Sequence, residues 1–117
     1  QTMNRTAILA ISLTLTAAAA GAQTTAAPAP ERTAQLVRMV RQDCGSCHGM
    51  QLTGGLGPAL TREALVAKPP EYLAAVITHG IPGTPMPPWS ALLTPGEAQW
   101  IAQQLANGFP EERKQSR

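Results

Sequence analysis

Residues 44–48 read Cys44-Gly45-Ser46-Cys47-His48. A Cys-x-x-Cys-His run is the attachment sequence for a c-type haem. The chemistry sets the spacing. Two thiols add across the vinyl groups of the porphyrin and become thioethers, and the imidazole next in line is held under the iron as the proximal ligand. With two residues between them, both sulfurs reach the same edge of one ring. The competing readings are a disulfide, a thioredoxin-type dithiol and half a zinc site. Zinc needs a second pair of ligands, and His79 is the only other strong candidate in the chain. A redox dithiol needs neither His48 nor an export signal. Both cysteines of the chain lie in this run, and one covalent haem c, bound through Cys44 and Cys47 with His48 on the metal, accounts for all three side chains.

Upstream, Met3-Asn4-Arg5 is a short basic start behind Gln1 and Thr2, and an apolar run from Ala7 to Ala20 is interrupted only by Ser and Thr. Ala20-Gly21-Ala22 supplies a small-x-small cleavage pattern. Residues 1–22 therefore read as a signal peptide that starts at Met3, leaving Gln23 as the first mature residue. An uncleaved anchor is the rival, but the run is short for a span. Export to the oxidising periplasm agrees with the haem motif. From Gln23 onward the chain has the length of one small domain. Lys+Arg 9 against Asp+Glu 7 gives a formal net charge of +2, and no basic run occurs before the last few residues. That balance argues against nucleic acid as a partner. Two Trp, one Tyr and one Phe are the only aromatics. A domain this small and this poor in aromatics needs a staple, and a porphyrin would provide its large flat apolar body.

Residues 23–30 read as a flexible leader. From Glu31 the period becomes helical, with Leu36, Val37, Val40 and Cys44 at three- and four-residue steps, so a first helix should deliver Cys44 on its inner side. Residues 49–61 hold four glycines and a proline. Regular structure is excluded there, and the composition suits a backbone passing close to a flat ligand. A short helix is predicted over 61–68, capped by Thr61 and stopped by Pro69. A second should span Pro70 to His79 with Gly80 at its C-cap, burying Leu73, Val76 and Ile77. Residues 81–90, stiffened by four prolines, form another irregular loop. Thr94-Pro95-Gly96-Glu97 opens the last helix with a capping box, Ala98, Trp100, Ile101 and Leu105 give its apolar face, and Asn107-Gly108 ends it. Residues 31–108 thus form the folded domain and 109–117 a charged tail.

The candidates for the iron's sixth ligand are Met39, Met50, Met86 and His79. Met39 and Met50 lie too near the motif to reach the opposite face. Met86 lies far enough downstream for two helices to intervene, and Pro85 and Pro87-Pro88 limit the freedom its loop loses when the sulfur is fixed. Its ordinary alternative is a core methionine. His79, in the last turn of a helix, is explained by the helix dipole. Met86 is the favoured ligand, with His79 and an open site as alternatives. Trp89 and Tyr72 have two readings each, an N–H or O–H donor to a haem propionate or simple packing.

Cys44-Gly45-Ser46-Cys47-His48-Gly49, Gly57-Pro58-Ala59-Leu60, Gly80-Ile81-Pro82 and Met86-Pro87, in this order, resemble the class I monohaem cytochromes c over about Glu31 to Gly108. The resemblance implies an all-α fold of four or five short helices wrapped round one haem. It also implies that the carbonyl of Pro58 accepts the other ring N–H of His48, fixing its tautomer. More narrowly, Asp43 to Met50, Thr53 to Leu60 and Gly83 to Trp89 resemble the small periplasmic cytochromes encoded with the cytochrome cd1-type nitrite reductase of denitrifying bacteria. That narrower likeness implies electron supply to the reductase or maturation of its haem d1. The reading is a periplasmic one-electron carrier with a redox protein partner and no stable membrane insertion after cleavage, rather than an enzyme, because two filled axial positions leave substrate no place on the iron. The alternative is a haem-site enzyme or gas sensor in which Met86 leaves.

Overall fold

Helix formation starts at a proline. In the computed structural model, which describes residues 26–111, α1 runs Pro30–Met39 with Pro30 in its first turn. Proline loses nothing there, because the first N–H groups of a helix have no partner within it. The start falls one residue before Glu31. The signal peptide read over residues 1–22, residues 23–25 of the leader and residues 112–117 of the tail lie outside the described residues.

Helix α1 does not pass directly into the haem motif. Val40–Cys44 form a π-helical turn, in which the N–H of Gly45 reaches back to the carbonyl of Val40, and α2 then covers Gly45–His48. Periodicity alone does not distinguish this wider turn from an α-helix, and such turns mark functional sites. Leu36, Val37 and Val40 are buried, whereas Cys44 at the end of the turn is only half-buried.

Helix α3 is Arg62–Leu65, shorter than the predicted 61–68. Thr61 caps it, its Oγ1 accepting from the N–H of Ala64 at 3.3 Å. The far end tightens, the N–H of Lys68 bonding to Leu65 O at 2.8 Å, because a residue before proline is excluded from the α region. Helix α4 spans Pro70–His79 and ends at Gly80 with φ +65°. It buries Leu73 and Ala74, while Val76 and Ile77, expected in the buried stripe, are half-buried. Helix α5, Pro95–Asn107, carries a complete capping box between Thr94 and Glu97 and buries Ala98, Trp100, Ile101, Ala102 and Leu105. No strand occurs among the described residues.

The core joins the buried residues of α1 to Leu65, Leu73, Trp100, Ile101 and Leu105. Two arginines fasten its rim. Arg32 of α1 meets Glu97 of α5 in a bidentate pair at 2.6 and 3.0 Å. Arg41, buried in the π-helical turn, donates to Phe109 O at 2.9 Å and Pro110 O at 3.0 Å and pairs with Glu111 at 3.2 Å. The Arg41 guanidinium also lies 5.6 Å from the Phe109 ring centroid, and that ring meets Trp100 edge-on at 6.4 Å. Residues 109–111, assigned to the tail from sequence, are therefore held against the fold. A buried guanidinium needs acceptors, and these carbonyls supply them.

Candidate haem site

Helix α2 is a single turn, so its last carbonyls need partners from elsewhere. The loop over residues 49–61 supplies them. The N–H of Gly54 bonds to His48 O at 2.8 Å and that of Gly57 to Cys47 O at 2.8 Å. Leu52 holds a left-handed conformation, φ 59°, which costs a non-glycine residue about 1 kcal/mol. Its side chain is buried and its carbonyl accepts from Leu60 N–H at 2.8 Å, which offset that cost.

Folding back in this way brings Pro58 to His48. The His48 Nδ1 and Pro58 O lie 2.7 Å apart. A carbonyl only accepts, so Nδ1 carries the hydrogen and the ring's lone pair sits on Nε2. A Cβ built on Gly57 would stand 2.8 Å from both His48 Cε1 and Nδ1. Glycine at 57 is what lets the loop backbone lie against the imidazole.

Cys44 and Cys47 are not bonded to each other. Burial, then the charge of Asp43, pushes the Cys44 thiol up to about 11. A redox dithiol needs the opposite, a thiol that ionises readily. Among the described residues no group of three or more His, Cys, Asp or Glu side chains forms a metal cluster, so His79 does not complete a zinc site with the cysteines. His79 is exposed in the last turn of α4, Met50 is 59% exposed beside Gly45, and Met39 packs on the core.

Met86 is half-buried in the second loop. A Cβ on Gly80 would lie 2.6 Å from Met86 O and 2.7 Å from Pro87 C, so the loop crosses directly over the end of α4. Ile81 N–H donates to Met86 O at 3.2 Å, and Trp89 N–H donates to Ile77 O at 2.9 Å. Trp89 and Leu60 pack on the core and stay half-buried, and Tyr72 is 50% exposed. Two unpaired thiols one helical turn apart, a neighbouring imidazole with its lone pair fixed on Nε2, and half-buried apolar residues on both loops together fit a covalent porphyrin. Reasoning from sequence missed Gly57 as the glycine under the ring and the side-chain bonds within the second loop. The order Gly57-Pro58 was the only signal for the former.

Comparison with known proteins gives the family. Residues 31–104 match the family model described as cytochrome c oxidase, cbb3-type, subunit III, and the chain belongs to this family of c-type cytochromes, with the class I fold. Cytochrome c55X of Stutzerimonas stutzeri is 56% identical over 86 residues, covering 74% of this chain and 76% of that protein. The solved structure of the c-type cytochrome NirC superposes with a TM-score of 0.67 at 55% identity, over 68% of this chain and 94% of that one. A dihydro-heme d1 dehydrogenase, NirN, solved in complex with DHE, gives a TM-score of 0.57 at 34% identity, over 68% of this chain and 17% of NirN. Among the described residues no helix is long and apolar enough to cross a membrane.

Proposed function

We propose that the chain is a periplasmic one-electron carrier. Cys44 and Cys47 would hold one haem covalently, and His48 and Met86 would ligate its iron. The observation that carries this reading is the 2.7 Å hydrogen bond between His48 Nδ1 and Pro58 O. It orients the imidazole directly beside the two thiols, holds one tautomer and raises the basicity of Nε2. When bound, the haem iron supplies a reversible one-electron change between ferric and ferrous. With an imidazole and a neutral thioether as its ligands, the iron would favour the ferrous form and take a higher potential.

The partner to test first is a cytochrome cd1-type nitrite reductase, on the strength of the likeness to NirC. No Asp, Glu, Lys or Arg occurs in residues 44–61 or 72–96, the stretches holding both ligands and both loops. Leu56, Met50 and Ile81 are exposed within them. Such a surface suits close apolar contact. Mixing the reduced protein with the reductase in a stopped-flow instrument, with the haem absorption followed, tests the assignment. Fast oxidation that changes little between low and physiological salt is expected. No transfer at all would remove the partner, and a fall of about tenfold with salt would replace apolar contact by charge steering.

A second reading, electron transfer in the maturation of haem d1, is favoured by the likeness to NirN. A carrier for that process would exchange electrons with the dehydrogenase rather than with the reductase.

A further inference from the structure

The loop over residues 81–90 has few hydrogen-bond donors, because Pro82, Pro85, Pro87 and Pro88 carry no N–H. One side chain closes it from within. The Thr84 hydroxyl donates to Ile81 O at 2.6 Å and accepts from the N–H of Met86 at 3.3 Å. The backbone N–H of Thr84 bonds to the same Ile81 carbonyl at 3.1 Å, and Ile81 N–H returns to Met86 O at 3.2 Å. Thr84 therefore ties the residue that leaves α4 to the backbone of Met86. Gly80 presses against Met86–Pro88 from the other side, where a Cβ would lie within 2.8 Å of three backbone atoms.

We infer that Thr84 is a positioning residue that latches Met86 on the iron and so sets how readily its sulfur gives way to an external ligand. The inference rests on the reading of Met86 as the sixth ligand. Prolines at 85, 87 and 88 restrict the backbone on each side of Met86 but do not join it to α4. The hydroxyl adds two hydrogen bonds to the direct backbone bond between Ile81 and Met86, and without them the loop opens more readily between those residues. The bonds are solvent-exposed, so water replaces part of what is lost and the loop should loosen rather than collapse.

The test uses the haem-loaded full chain and cyanide, which binds ferric iron only when the sulfur has left. In Thr84→Val, which keeps the β-branch and removes the hydroxyl, cyanide should bind roughly tenfold faster, the scale of one to two net hydrogen bonds. Thr84→Ser restores the hydroxyl and should return the rate close to that of the natural chain. The resting Thr84→Val protein should keep the near-red absorption of ferric thioether ligation, which shows that the fold and the ligand are intact. Met86→Ala separates this inference from the reading beneath it. If Met86→Ala kept the near-red absorption, Met86 would not be the ligand and both would fall. If Met86→Ala lost it while Thr84→Val bound cyanide at the natural rate, the ligand would stand and the latch would be overturned. A Thr84→Ser rate as fast as that of Thr84→Val would also overturn it, because loss of threonine packing would then be the cause.

Discussion

The two loops that hold the proposed axial ligands in place solve one problem by opposite means. Residues 49–61 use glycine, and backbone N–H groups bond to the carbonyls of the helix just finished, bringing Gly57 and Pro58 against the His48 ring. Residues 81–90 use proline, and a chain poor in donors is drawn over the end of α4 and closed by the Ile81–Met86 backbone bond and one hydroxyl. Close approach serves the histidine, which needs a second partner to fix its tautomer. Restricted freedom serves the thioether, a weak ligand that must lose little entropy when it binds. The proposed strong ligand is fixed through its ring, and the proposed weak ligand through its backbone.

The contrast between the loops breaks first if the fold does not need the group both are proposed to grip. A Cys44→Ala, Cys47→Ala chain made without haem should be largely unfolded, because so small a domain relies on the porphyrin for its core. Circular dichroism checks this, and a cooperative thermal transition would contradict it. A large local effect is expected at Gly80. Gly80→Ala combines a left-handed backbone with contacts under 3 Å, which should cost about 3 kcal/mol of stability and loosen Met86. Gly57→Ala should cost about 2 kcal/mol by displacing the His48 ring, and it should shift the reduction potential as well. Gly83→Ala also meets a positive φ, +77°, but has open space around it. About 1 kcal/mol is expected there, with the near-red absorption and the potential unchanged. Paired thermal melts and potentiometry read all three.

The smallest effect lies away from both loops. The Arg32 hydrogen bond, then the backbone N–H of Thr94, holds the Glu97 carboxyl below the usual glutamate value. A lowered pKa in the folded state means that this contribution is present above the ordinary value and is lost as pH falls through the folded one. Thermal melts of the natural chain should therefore weaken with acid below pH 4.5. Glu97→Gln should flatten that dependence without moving the haem spectrum.

Much of this organisation is legible in the sequence. The chemistry of Cys44 to His48, the limits of α4 at Pro70 and Gly80 and the capping box of Thr94 and Glu97 obey local rules, because the residues that cause them lie within a few positions of each other. What escaped depends on distant partners. The π-helical turn at Val40–Cys44 contains Arg41, whose acceptors lie at residues 109–111. That same contact turned part of the expected tail into fold. The hold of Gly57 on His48 and the two bonds of Thr84 are matters of where a loop returns, which composition does not encode. The shortened α3 was closer to reach, since Pro69 already restricts Lys68.

A carrier of this kind requires both axial positions to be filled, and carbon monoxide tests that most directly. The reduced, haem-loaded protein at neutral pH is exposed to the gas and its haem spectrum recorded beside that of Met86→Ala. The natural chain should show no change while Met86→Ala binds the gas readily. Ready binding by the natural chain would contradict the carrier and point to a haem-site enzyme or gas sensor in its place.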